Sequence, residues 1–162
     1  YVTVPATLGY NFTVCFWIKT TSNDGSATAT NWNGPVGLVA GPTNKHALML
    51  ADGKFRLWSG SATHACRMTG YTKVNHGSWV HIAASRFGDI GGNGLGTMKI
   101  FTNGNLDKSE NRHYTNQNTG SILHLGKTPE GMVYFDGLMD ELRIYNRTLT
   151  NSEVQAVYNL GL

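Results

Sequence analysis

Short runs in which apolar and polar residues alternate recur along this chain. Residues 12–19 read FTVCFWIK, and residues 80–87 read VHIAASRF. Because successive side chains of a β-strand point to opposite faces, every second residue of such a run shares a face. The pattern predicts two strands whose inward faces carry Phe12, Val14, Phe16 and Ile18 in the first and Val80, Ile82 and Ala84 in the second.

Glycine-containing dipeptides separate several of these runs. Asp52-Gly53 lies between ALMLA and KFRLW, and Asn103-Gly104 follows TMKIFT. Both dipeptides suit a two-residue hairpin turn, in which the two central residues take a positive φ. We therefore expect an antiparallel hairpin at each position.

The first hairpin divides its residues into two faces. Counting outward from the turn pairs Leu50 with Phe55 on an apolar face. Arg56 and Trp58 then fall on the opposite face. This second face is either covered by the rest of the fold or available to a partner, and the sequence leaves both alternatives open.

The end of the chain has the pattern of a short helix. Thr150 can cap it, and Glu153, three residues later, can complete a capping box. Further strands are predicted through residues 121–125 and 135–145. Many short strands with one helix are typical of an all-β protein built as a two-sheet antiparallel β-sandwich or a barrel, rather than of alternating βαβ units.

Composition narrows the class of protein. A chain of 162 residues is predicted to form a single domain over residues 1–162. Only 14% of residues are charged, as in many extracellular β-proteins. The 13 basic and 10 acidic residues form no basic run, which argues against a nucleic-acid partner. No apolar stretch approaches the length that inserts into a bilayer.

Cys15 and Cys66 allow either one disulfide or two free thiols.

Four motifs in order resemble a known family. They are YVTVP with FTVCFWIKT, then GSWVHIAAS, then KIFTNGNL, and finally FDGLMDELRIYNRTLTNSEVQAVYN from residue 135 to 159. Together they look like the laminin-G-like jelly rolls, which are grouped with the concanavalin-A-like lectins and glucanases. The resemblance implies a jelly-roll sandwich of a type often appended to secreted glycosidases, adhesins and receptors. We therefore expect the chain to be part of a longer secreted or cell-surface protein.

Acidic side chains near the C-terminus are the candidates for a catalytic pair. Asp136 and Asp140 lie four residues apart on a predicted strand, so their backbones are about 13 Å apart, beyond the ~5–9.5 Å of glycosidase carboxylates. Asp140 and Glu141 are predicted to point to opposite faces. The sequence therefore predicts that this protein is not an enzyme.

The family resemblance also implies a cofactor. It places Asp140 where many members bind a structural calcium ion. Since Ca²⁺ takes about six to eight oxygen ligands, one carboxylate with backbone carbonyls would bind it weakly. The alternative is that Asp140 accepts a hydrogen bond from a turn or cap.

Two groups of residues are candidates for ligand binding. The first lies in the polar loop of residues 22–35, and the second is the outer face of the Asp52-Gly53 hairpin. An aromatic face that stacks on a sugar, beside amides and charged groups that bind its hydroxyls, is typical of glycan recognition. The expected partner is a glycan, and the alternative is an extracellular protein or a second copy of the chain. The candidate residues are Asp24, Asn31, Trp32, Asn33, Arg56 and Trp58.

Overall fold

The computed structural model describes residues 2–5, 8–9, 11–22, 36–40, 46–60, 65–88, 95–113, 123–127 and 134–162. Within these ranges lie eleven strands and one helix. They are β1 (Val2–Val4), β2 (Phe12–Lys19), β3 (Val36–Ala40), β4 (His46–Ala51), β5 (Lys54–Gly60), β6 (Ala65–Lys73), β7 (Val80–Phe87), β8 (Leu95–Thr102), β9 (Asn105–His113), β10 (Leu123–Leu125), β11 (Leu138–Tyr145) and α1 (Asn151–Asn159).

The strands form two antiparallel sheets. The six-stranded sheet has the order β1-β10-β3-β4-β5-β6, and the five-stranded sheet has the order β11-β2-β7-β8-β9. This arrangement confirms the predicted all-β sandwich with a short C-terminal helix. The predicted hairpin register is also observed, because Leu50 pairs with Phe55 across β4 and β5.

The main core lies between the two sheets, and the inward faces predicted for β2 and β7 are confirmed. It is completed by apolar side chains from β4, β5, β6, β8 and β10. The fully or nearly fully buried members include Phe12, Val14, Phe16, Ile18, Leu48, Leu50, Phe55, Leu57, Met68, Val80, Ile82, Ala84, Met98, Ile100 and Leu123.

Both predicted hairpin turns have the expected backbone. Asp52 and Gly53 take φ values of 53° and 68°, and Asn103 and Gly104 take 50° and 77°. Positive φ at both central residues matches the right-handed twist of the flanking strands. These turns hold the β4–β5 and β8–β9 pairs in register.

The helix α1 covers part of the outer surface of the five-stranded sheet. Thr150 and Glu153 form the predicted capping box. Val154 and Val157 pack there in a second cluster of buried residues that includes Cys15. No described helix is long and apolar enough to span a bilayer.

The sequence allowed Cys15 to be either part of a disulfide or a free thiol. In the structure it is a free, buried thiol. Burial raises its pKa to about 12, although the nearby charge of Arg143 acts in the opposite direction. A thiol with so high a pKa forms little thiolate at neutral pH, and it is therefore unreactive.

Asp107 joins the two sheets along one pair of edges. Its carboxylate on β9 accepts hydrogen bonds from the backbone N–H of Tyr71 at 2.8 Å and from the hydroxyl of Thr72 at 2.6 Å, both on β6. At the opposite pair of edges, Val2 of β1 and Met139 of β11 line a cavity between the sheets. The sandwich is therefore bridged by polar contacts at one pair of edges and has an open cavity at the other.

Candidate functional site

The outer surface of β4, β5 and β6 carries the two charged and aromatic residues that the sequence singled out. Trp58 of β5 pairs with Arg67 of β6, and Arg56 pairs with Thr69. Met49 of β4 lies on the other side of Arg56. We call these five residues the arginine–tryptophan face. They alternate with core residues along their strands and so point away from the core.

The side chain of Trp58 is buried rather than open to solvent. Only 7% of the residue is exposed. The guanidinium carbon of Arg67, which is itself exposed, lies 5.7 Å from the centre of the indole ring. A guanidinium at this distance from an indole ring is attracted to it by a cation–π interaction. Because Arg67 is exposed and Trp58 is buried, a ligand would contact Arg67 first.

Arg56 is held in a fixed orientation beside this pair. Its Nε donates a hydrogen bond to the hydroxyl of Thr69 at 2.8 Å. Burial lowers the pKa of Arg56, and the positive charge of Arg67 lowers it further. Among the residues that the structure describes, no carboxylate forms an ion pair with Arg56. The arginine–tryptophan face thus brings together two like charges, of which one is partly desolvated.

The second feature is the edge cavity, which has a volume of about 380 Å³. The part of its wall that is described combines apolar side chains with two carboxylates and two glycines. These residues are Val2, Leu125, Gly126, Phe135, Gly137, Met139, Asp140, Glu141 and Leu142.

A β-bulge in β11 corrects the predicted arrangement of the acidic residues. The register with β2 shifts between Asp140 and Arg143, and Glu141 has a φ of 52°. An extra residue of this kind interrupts the alternation of side chains. The prediction that Asp140 and Glu141 point to opposite faces is therefore wrong, since both line the edge cavity. Asp136 also lies before β11 rather than within it.

The two carboxylates of the bulge already have protein partners. Asp140 Oδ1 accepts the backbone N–H of Glu141 at 2.7 Å, and Glu141 forms an ion pair with Arg143. Asp140 therefore has the turn-acceptor role that the sequence left open. Within the described ranges, no group of three or more His, Cys, Asp or Glu side chains could hold a metal ion.

The other predicted ligand-binding residues lie outside the described part of the chain. This applies to Asp24, Asn31, Trp32 and Asn33, which stay predictions. The sequence pattern did not reveal Arg67 and Thr69, because no strand was predicted through β6. The signal was present, since residues 67, 69, 71 and 73 are charged, polar or aromatic and alternate with Met68 and Gly70.

A family model and a curated relative match most of the chain. The model described as the concanavalin A-like lectin/glucanases superfamily, of laminin G type, matches residues 1–155. Adhesion G-protein coupled receptor V1 of Danio rerio is 24% identical over 156 residues, which are 92% of this chain. The chain spans only 2% of the length of that receptor.

Several solved structures share the fold. The receptor binding domain of botulinum neurotoxin type G superposes with a TM-score of 0.70 at 16% identity, covering 98% of this chain and 39% of that one. A heptameric SAP-like pentraxin from Limulus polyphemus gives 0.64 at 17% identity, covering 96% and 74%. Domain 4 of AbnA, an extracellular arabinanase of Geobacillus stearothermophilus solved with arabinotriose, gives 0.58 at 26% identity, covering 94% and 68%.

Proposed function

This chain belongs to the concanavalin A-like lectin/glucanases superfamily, and from that premise we propose that it is an extracellular, non-catalytic domain that binds carbohydrate. The arabinanase domain that resembles it was solved with arabinotriose, which supports a sugar ligand. The match to an adhesion receptor supports an extracellular location. We propose that the domain is non-catalytic because its two neighbouring carboxylates have structural partners. Asp140 accepts the backbone N–H of Glu141, and Glu141 forms an ion pair with Arg143.

The observation that carries the proposed binding site is the pair of guanidinium groups on the arginine–tryptophan face. Each guanidinium has five N–H donors and no acceptor, so a ligand with several acceptor oxygens matches its hydrogen-bonding chemistry. Thr69 orients Arg56, and the ring of Trp58 supports Arg67. A ligand that binds there therefore finds donors that are already positioned, and less conformational entropy is lost on binding.

The charge of this face favours an acidic glycan over a neutral one. Arg56 is half-buried, and Arg67 lies one cross-strand pair away from it on the same face. Burial and this positive charge both lower the pKa of Arg56. A carboxylate or sulfate on a sugar would accept charge-assisted hydrogen bonds from these guanidinium groups, and such bonds are stronger than those of a neutral hydroxyl. A neutral sugar would accept hydrogen bonds without this electrostatic gain.

The binding test compares an acidic polymer, polygalacturonate, with neutral arabinan in affinity electrophoresis and on a glycan array. We expect the domain to bind an acidic glycan more tightly. Arg67→Gln should weaken that binding about tenfold, because a hydrogen bond to a charged group contributes roughly 1.5–3 kcal/mol. Lys73→Gln is the matched control, since it removes one positive charge from the same strand about 20 Å away.

The control separates specific binding from general attraction. Lys73→Gln should change the affinity by less than about twofold, because a distant exposed charge is screened by salt. Equal losses in both variants would contradict the proposed site. Failure to bind any glycan would contradict the proposed function itself.

Calcium at Asp140 is a further proposal that a stability measurement can test. Asp140 is exposed at the edge cavity. With a dissociation constant of roughly 10⁻⁴–10⁻³ M, as in extracellular modules, excess Ca²⁺ should raise the Tm by about 3 °C. Asp140→Asn should lose this increase, whereas Asp136→Asn, just outside the strand, should keep it. A Tm that is the same with Ca²⁺ and with chelator would rule the site out.

Protein association is the second candidate function, and the edge cavity favours it. Val2 on β1 and Leu138 on β11 are both more than half exposed although they are large and apolar. They lie on the outermost strands of the two sheets, where unpaired backbone groups can accept another strand. A mass by light scattering that increases with protein concentration would support this alternative.

A further inference from the structure

The outer surface of the five-stranded sheet is only partly covered by α1. Successive cross-strand pairs along β7 and β8 are Ala83 with Phe101, Ser85 with Lys99, and Phe87 with Thr97. The first pair is buried against Val154 and Val157 of α1, in the cluster of buried residues beneath that helix. The next two pairs lie on the same surface, beyond that cluster.

A small pocket lies at these two uncovered pairs. Its volume is about 200 Å³. The described residues that line it are Ser85, Phe87, Thr97, Lys99 and Thr148. We call it the hydroxyl pocket, because three of these five residues carry a hydroxyl group.

Ser85 is the most informative residue of the hydroxyl pocket. It is 1% exposed, and its hydroxyl has no hydrogen-bond partner among the described residues. A buried hydroxyl without a partner typically destabilises a protein by about 1–3 kcal/mol, so it needs an explanation. Ser85 lies on the outer face of β7, on the side of the pocket, where a polar ligand atom could become its partner.

The other polar groups of the hydroxyl pocket are fixed by hydrogen bonds outside it. Thr97 donates its hydroxyl proton to Asn111 at 2.9 Å, and Thr148 donates its own to the carbonyl of Arg86 at 3.0 Å. Both hydroxyl oxygens therefore retain acceptor capacity. The ammonium of Lys99 contacts Asn151 at 3.3 Å and has three N–H donors in all.

Phe87 supplies an apolar wall to the same pocket. It is 58% exposed, which is unusual for a phenylalanine on a strand. An exposed aromatic ring beside donors and acceptors matches the two surfaces of a sugar ring, whose C–H groups stack on aromatics while its hydroxyls form hydrogen bonds.

We propose that the hydroxyl pocket binds a single neutral sugar residue and is a second glycan site of this domain. The volume is below the ~300–1,000 Å³ of pockets that hold larger ligands, so one ring rather than an oligosaccharide fits. The available groups both donate and accept, as sugar hydroxyls do. This inference shares the ligand class of the proposed function but concerns a different surface.

Two sites on opposite sides of the sandwich would make the domain bivalent. The arginine–tryptophan face is on the six-stranded sheet, and the hydroxyl pocket is on the five-stranded sheet. One domain could then hold two glycan chains, or two parts of a branched one, and avidity would exceed either separate affinity.

The test is a nuclear magnetic resonance titration of the domain with methyl glycosides of the common neutral sugars at millimolar concentration. At least one should shift the amide signals of Ser85, Phe87, Thr97 and Lys99. Phe87→Ala should weaken its binding about tenfold, and Ser85→Ala about fivefold. Tyr71→Ala removes another exposed aromatic residue, on β6, and should leave the affinity unchanged.

The outcomes distinguish this inference from the proposed function. If no methyl glycoside shifts these signals while polygalacturonate still binds in an Arg67-dependent way, the second site is absent and the proposed function stands. If the hydroxyl pocket binds a sugar but no glycan binding depends on Arg67, the second site stands and the arginine–tryptophan face is not a glycan site. A Tm that does not decrease in Phe87→Ala and Ser85→Ala excludes unfolding as the cause of lost binding.

Discussion

Acidification from pH 7 to pH 4.5 should lower the free energy of unfolding by about 2.5 kcal/mol through His81. Burial lowers the pKa of His81 to about 4, and the charge of Arg143 contributes in the same direction. The ring contacts Trp17 and Tyr158 at centroid distances of 5.4 and 5.7 Å, and these two rings also stack on each other at 5.6 Å. Neither ring nitrogen has a hydrogen-bond partner among the described residues.

Acid destabilises the domain because His81 has a higher pKa in the unfolded chain than in the folded chain. The unfolded chain binds a proton at His81 near its ordinary pKa of 6.5, whereas the folded chain resists protonation until about pH 4. Stability is therefore complete above pH 6.5 and falls as the pH decreases toward 4. Glu153 contributes separately, because its pKa is lowered to about 2 by Arg147 and Thr150, and its stabilisation is lost only below about pH 4.5.

Urea unfolding at several pH values measures this dependence. His81→Phe keeps an aromatic ring and the backbone hydrogen bonds to Asn103. The His81→Phe substitution should remove most of the decrease in the free energy of unfolding between pH 6.5 and 4.5. An equal loss in wild type and His81→Phe would show that other groups cause it.

Gly137→Ala should destabilise the domain by about 3 kcal/mol, because the new methyl group has no space. A Cβ at this position would lie 2.5 Å from the backbone oxygen of Lys19 and 2.7 Å from the ring of Phe135. Gly137 also has a φ of 156°. Lys19 cannot withdraw easily, since it pairs with Leu138 where β11 joins β2.

The matched control for this substitution is Gly161→Ala. Gly161 has a φ of 76°, but a Cβ added there would have no atom within 4 Å. Gly161→Ala should lower the free energy of unfolding by only about 1 kcal/mol, because only the positive φ is unfavourable for alanine. Thermal unfolding should show a decrease in Tm of roughly 6–12 °C for Gly137→Ala. Equal decreases in both variants would mean that the close contacts at Gly137 can relax.

The regular parts of the fold could be predicted because local chemistry determines them. The Asp52-Gly53 turn sets the β4–β5 register, and alternation identifies the buried faces of β2 and β7. The capping box at Thr150 locates the start of α1. In each case the residues that carry the signal are neighbours in the chain, so no knowledge of distant contacts was needed.

The candidate site could be predicted only in part, because its remaining residues depend on distant contacts. Arg56 was placed correctly on the outer face, but its neighbours on β6 were missed because Gly70, a residue that is depleted in strands, interrupts the alternating pattern there. The structure explains the glycine, since the Asp107 carboxylate occupies the space of a Cβ at Gly70.

The burial of Trp58 and the bulge at Glu141 were also beyond sequence reasoning. The guanidinium of Arg67 on the neighbouring strand lies over the indole, and that contact depends on the β5–β6 register. A bulge adds one residue to one strand of a pair, so it becomes visible only when the partner strand is known. The hydroxyl pocket likewise combines residues of β7 and β8 with Thr148, which lies much later in the chain.

Side-chain nuclear magnetic resonance would show whether the arginine–tryptophan face binds an acidic glycan. A nitrogen-labelled domain would be titrated with oligogalacturonate while the arginine Nε–H and tryptophan Nε1–H signals are followed. We expect the signals of Arg56, Arg67 and Trp58 to shift together and to saturate with one dissociation constant. Saturable shifts that leave these three signals unchanged and fall on other residues would contradict the claim.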